Sequence, residues 1–119
     1  MEHDRIIFHM CRAEEWAAAR DGGVYDGSSQ DRADGFIHFS TRSQLAESAA
    51  KHRAGQTGLV LLTVDAGLLG PKVKWELAPS RGQLFPHVYG GLPVTAVLRV
   101  DALALGPDGR HLFPAHATP

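Results

Sequence analysis

Apolar and polar positions change period several times along this chain of 119 residues, and each change marks an element. Residues 5–11 form a short apolar run, and residues 13–20 are alanine-rich, carry Trp16 and stop at Gly22 and Gly23. That pattern predicts a strand and then a helix with a glycine stop. Residues 24–34 are polar and contain glycine, which predicts an irregular loop able to fold over the face that His38 presents, with Tyr25 as its aromatic contact. In the next segment Phe36, His38 and Ser40 fall on one strand face, and Ile37 and Phe39 on the other. Thr41 with Gln44 has capping-box form and predicts a helix over residues 41–54, ending at Gly55. Residues 59–64 are continuously apolar, as expected of a central strand buried on both faces. Residues 72–77 alternate strictly, Val73, Trp75 and Leu77 against Lys72, Lys74 and Glu76. A short strand over 83–88 carrying Pro86, a turn at 89–91 and a strand over 94–100 complete the series. Two helices in the N-terminal half followed by strands without helical crossovers predict an α+β fold. Residues 1–114 read as one domain and 115–119 as a loose C-terminal tail rich in Pro and Ala.

Composition narrows the classes. A hydrophobic content of 44% and a charged content of 21% suit a globular domain, and no apolar run approaches the ~20 residues that span a bilayer. The opening residues enter an apolar strand without signal-peptide features, so a cytoplasmic location is expected. One cysteine, Cys11, rules out an internal disulfide and any multi-cysteine zinc site. A net charge of -1 gives no broad basic face and argues against nucleic acid as partner, while local arginines remain able to hold one small anion. The oligomeric state is not legible.

The chemistry concentrates in the Gly35–Thr41 region. His38 and Ser40 share a face at the end of a strand, and Thr41 opens the next helix with its unpaired N–H groups, which suits a polar or anionic ligand. His38 there is placed to act as acid, base or donor. His87 and Tyr89 stand at a turn, where they either bridge backbone groups or bind a ligand, Tyr89 by stacking. His9 reads either as a core-edge histidine with both nitrogens satisfied or as a cleft residue. Glu76 faces water or a cleft among lysines. Cys11 reads as an inert small hydrophobe.

The order Ile7-Phe8-His9, Trp16, Gly22-Gly23, Gly35-Phe36-Ile37-His38-Phe39-Ser40-Thr41 with Gln44, Glu76, and Phe85-Pro86-His87-Val88-Tyr89-Gly90 resembles the domain-of-unknown-function family 952 over nearly the whole chain. That resemblance brings no activity with it. His9 and His38-Phe39-Ser40-Thr41 are also similar to two elements of the ADP-ribosyltransferases and RNA 2′-phosphotransferases. The latter likeness implies a split β-sandwich with NAD, as substrate, in the cleft between half-sheets. It further implies His9 and His38 as catalytic residues and Glu76 as the late carboxylate that assists transfer. This chain departs from that pattern after its first histidine, where His9-Met10-Cys11 replaces the usual Gly-Thr continuation.

Three readings therefore stand side by side. The first is a transferase acting on NAD or a nucleotide-like small molecule, with His9, His38 and Glu76 catalytic and Tyr25, Ser40, Thr41, His87 and Tyr89 binding. The second is a binding module using the same cleft without turnover. The third is a metal site of His9, His38, His87 and Glu76, disfavoured because no His-x-His or His-x-x-x-His pair supplies ligand spacing, so no metal is expected.

Overall fold

A computed structural model describes residues 4–119. The first strand, β1 (Ile6–Arg12), pairs antiparallel with β4 (Leu59–Asp65), which pairs on its other edge with β8 (Val97–Leu103). The uninterrupted apolar sequence of β4 thus occupies the centre of its sheet, as its composition requires. A second antiparallel sheet has the order β3 (Ile37–His38), β6 (Gln83–Val88), β5 (Val73–Ala78). A two-stranded ribbon joins β2 (Val24–Tyr25) to β7 (Leu92–Pro93). The two larger sheets meet where Phe8 and Ser40 exchange backbone hydrogen bonds at 2.8 Å in both directions.

Alternation along β1 divides the core. Ile7 and Cys11 face a cluster containing Trp16, Tyr25, Ile37, Phe39, Leu62, Val64, Val88 and Leu92, while Phe8 faces Leu45, Leu59, Leu61, Leu103 and Ala117. Among the described residues, three α-helices accompany the sheets: α1 (Ala13–Arg20), α2 (Ser29–Asp34) and α3 (Leu45–His52). The fold is α+β with open antiparallel sheets.

Four expectations are corrected. The stretch 24–34 is not an irregular loop: Val24 and Tyr25 pair with β7, and Ser28 starts α2 with a capping box whose return partner is Asp31. The helix expected from residue 41 begins only at Leu45, because Gln44 Oε1 accepts the Thr41 N–H at 3.0 Å while Thr41 Oγ1 turns to Ser43 Oγ at 3.2 Å. Half a capping box forms, one turn ahead of the helix. Leu77, expected on the packed face of β5, is exposed and lies opposite exposed Leu84 at the far end of the β5–β6 pair. The last residues are not loose: Ala117 is buried, and the His116 carbonyl accepts a 2.7 Å bond from Arg42 Nε. Among the described residues, no helix is long and apolar enough to cross a membrane.

Candidate functional site

The register of the second sheet builds the site. His38 on β3 lies directly across from His87 on β6, so both imidazoles project from one face with ring centroids 5.6 Å apart. Phe36 stacks on His87 at 4.1 Å and touches His38 at 4.6 Å. These rings form part of the wall of a cleft of about 660 Å³ between the sheets, whose other walls come from α2, α3, β1 and the β5–β6 turn.

Asp31 is the hub of this wall. It is 3% exposed, and four donors reach its carboxylate. Oδ1 accepts the His38 backbone N–H at 3.1 Å and the His38 Nδ1–H at 2.6 Å. Oδ2 accepts the Ser28 N–H at 2.8 Å and the Ser28 hydroxyl at 3.0 Å. Burial opposes ionisation, but the His38 ring and the two backbone donors outweigh it and hold the Asp31 carboxyl well below the usual carboxylate range. Asp34 Oδ2 stands 3.1 Å from His38 Nε2, so α2 places a carboxylate at each nitrogen of that ring.

His9 lies at the cleft floor and is 3% exposed. Its Nδ1 is 2.6 Å from the His38 carbonyl, which can only accept, so Nδ1 carries the proton. Nε2 is then the acceptor for the Tyr25 hydroxyl at 2.7 Å. Burial pushes the His9 imidazole below its ordinary value, which keeps it neutral. Tyr25 is pushed upward by burial and the Cys11 thiol, also by burial, up to about 11. Neither is a nucleophile near neutral pH.

The remaining expected residues divide. Ser40 lines the cleft, but its hydroxyl is spent on Ser48 Oγ at 2.8 Å. His87 lines the cleft with Nδ1–H donated to Glu76 Oε1 at 2.8 Å, and burial lowers its pKa. Tyr89 donates to the same Glu76 oxygen at 2.6 Å. The Tyr89 and then the His87 hydrogen bonds lower the Glu76 pKa. Glu76 and Tyr89 thus stand behind His87 and orient it from outside the cleft wall, and Thr41 and Tyr25 also lie outside that wall. Of the four candidate metal ligands, His9 has both nitrogens occupied, by the His38 carbonyl and the Tyr25 hydroxyl. Among the described residues, no group of three or more His, Cys, Asp or Glu is arranged to hold a metal ion.

Three groups escaped sequence reasoning. Asp31 carried a signal, the Ser28-x-x-Asp31 capping pattern with Gly35 beyond it, which adopts φ 87° at the helix end. Asp34 comes from the same helix, one turn on. Arg81 in the β5–β6 turn had no signal, because its contacts with Ser48 of α3 and with the Phe85 ring arise from tertiary packing.

Comparison with known proteins agrees with this architecture. Residues 10–100 match the family described as "Protein of unknown function (DUF952)". The crystal structure of protein CC0527 from Caulobacter crescentus is 43% identical, with 94% of this chain and 97% of that chain covered and a TM-score of 0.88. The solution NMR structure of CC0527 is 44% identical over 90% and 91% of the two chains, with a TM-score of 0.80. No curated protein matches the chain.

Proposed function

Because the chain belongs to the DUF952 family, whose description assigns no activity, the function must come from the cleft, and we propose that it binds NAD or another nucleotide-like small molecule. The observation that carries this reading is the stacked pair Phe36–His87 in the wall of a cleft that Arg12, Lys51, Arg53 and Arg81 also line. A planar base stacks on aromatic surface, and phosphates pair with guanidinium and ammonium groups. The volume of about 660 Å³ is in the range of small-molecule and cofactor sites. Two three-stranded antiparallel sheets with the cleft between them support an ADP-ribosyltransferase-like split sandwich as the setting.

The geometry favours binding over transfer. Glu76, the carboxylate expected to stabilise a developing cation, faces His87 and Tyr89 instead of the cleft. A second reading, ADP-ribosyl transfer, draws on Asp34, a cleft carboxylate 3.1 Å from His38 Nε2. The test is a thermal-unfolding series with NAD, ADP-ribose and adenosine monophosphate, run beside an assay of nicotinamide release. Stabilisation without release is the expected result; a ligand at about one hundred times its Kd adds about 2.7 kcal/mol. Release of nicotinamide would select the transfer reading, and the absence of any shift at millimolar nucleotide would end both.

A further inference from the structure

The Arg81 side chain is 6% exposed, yet much of its hydrogen-bonding capacity has no protein partner. Its Nη1–H donates to Ser48 Oγ at 3.0 Å, and its guanidinium carbon lies 4.3 Å from the centre of the Phe85 ring. Nη2 is 3.5 Å from the Glu47 carboxylate, itself 61% exposed, and makes no hydrogen bond to it. Nε and Nη2 are buried without an acceptor. A buried N–H donor left without an acceptor keeps its full desolvation cost, and more so on a charged group.

Ser48 adds a third donor. Its Oγ accepts from both Ser40 Oγ at 2.8 Å and Arg81 Nη1, so its own proton points away from both. Ser48, Lys51 and His52 succeed one another on the last turns of α3 and all line the same cleft as Arg81. Burial first, and the Arg81 charge second, lower the His52 pKa, as expected beside a guanidinium.

We propose that Arg81 and Ser48 form a phosphate seat: Arg81 Nε and Nη2 and the Ser48 hydroxyl hold the oxygens of a phosphoryl group, with Lys51 and His52 supplying further positive charge. The seat rests on the nucleotide-binding proposal for the nucleoside half of the ligand only. A planar fork of N–H donors fits phosphate oxygens in a way that an ammonium group does not.

The full chain and its Arg81→Lys and Ser48→Ala variants are titrated by calorimetry with inorganic phosphate, adenosine and adenosine monophosphate. In parallel, the His52 imidazole is followed by NMR with and without phosphate, against the charges that face it, Arg81, His38, Lys51 and Arg53. Expected are saturable phosphate binding, an upward move of the His52 titration, and adenosine monophosphate binding at least roughly tenfold tighter than adenosine. Arg81→Lys, which keeps the charge but loses the fork, should lose roughly tenfold in phosphate affinity, and Ser48→Ala several-fold. Should Arg81→Lys fail to fold, Ser48→Ala and the His52 shift of the unaltered protein decide the matter. Phosphate binding with no added gain from the adenosine moiety leaves the seat standing and removes the nucleotide reading. Equal affinity for adenosine and its monophosphate, or phosphate binding untouched in both variants, overturns the seat alone.

Discussion

Asp31 shows how one side chain serves fold and site together. Its carboxylate closes the α2 cap through Ser28 and fixes the His38 ring through Nδ1. Asp31→Ala should therefore lower stability by about 3 kcal/mol, because two backbone N–H groups and an imidazole lose their acceptor. Urea unfolding measures this, and a loss below about 0.5 kcal/mol would show the carboxylate to be dispensable to the fold. His9 is equally structural, with both nitrogens occupied in the interior. The pH dependence has a definite sign. His9 titrates below 6.5 when folded, so its contribution is complete above pH 6.5 and is lost as pH falls and the unfolded imidazole takes up its proton. Asp31 titrates below 3.8 when folded, so its contribution is complete above about pH 4 and is lost as pH falls further. Urea midpoints should stay level between about pH 7 and 8, decline below 6.5 and collapse toward pH 3, with a separate alkaline decline above about pH 9 as the unfolded Cys11 and Tyr25 lose protons that burial holds in the folded state. In His9→Gln the first decline should shrink but persist, because burial lowers His52 and His87 as well. An unchanged slope in that variant would mean that His9 is not buried neutral.

At the scale of elements, α2 decides whether the cleft has a wall. Six residues make a helix only with good ends, and Ser28 and Gly35 supply them. Ser28→Ala should cost about 1 kcal/mol, read by thermal unfolding. Gly27→Ala should cost more: at φ 95° a side chain is strained, and its Cβ would stand 2.7 Å from Asp31 Cβ. The displaced Asp31 should release His38, so the His38 NMR signals should move further in Gly27→Ala than in Ser28→Ala. α1 contributes by a different route, a single buried residue, Trp16, whose ring meets Tyr25 edge-on at 6.2 Å. Trp16→Ala should destabilise by about 3–5 kcal/mol, measured by urea unfolding.

For the whole molecule, closure depends on segments far apart in sequence. The C-terminal residues cover the Phe8 face of β1, with Ala117 in the core and His116 bound to Arg42. Truncation after Pro114 should lower stability by about 1–3 kcal/mol through the exposed apolar surface and the orphaned Arg42 donor; an unchanged melting temperature would restore the picture of a loose tail. The amino-acid pattern by itself settled the α+β class, the central β4 and the facing of His38, because those depend on local period and apolar content. It also held the α2 cap, which glycine and polar composition masked as loop. Only the tertiary structure decided that α2 sets Asp31 and Asp34 beside His38, that Glu76 turns to His87, and that the Arg81 guanidinium is buried against α3. Those outcomes depend on cross-strand register and on packing between elements distant along the chain, and no local periodicity encodes either.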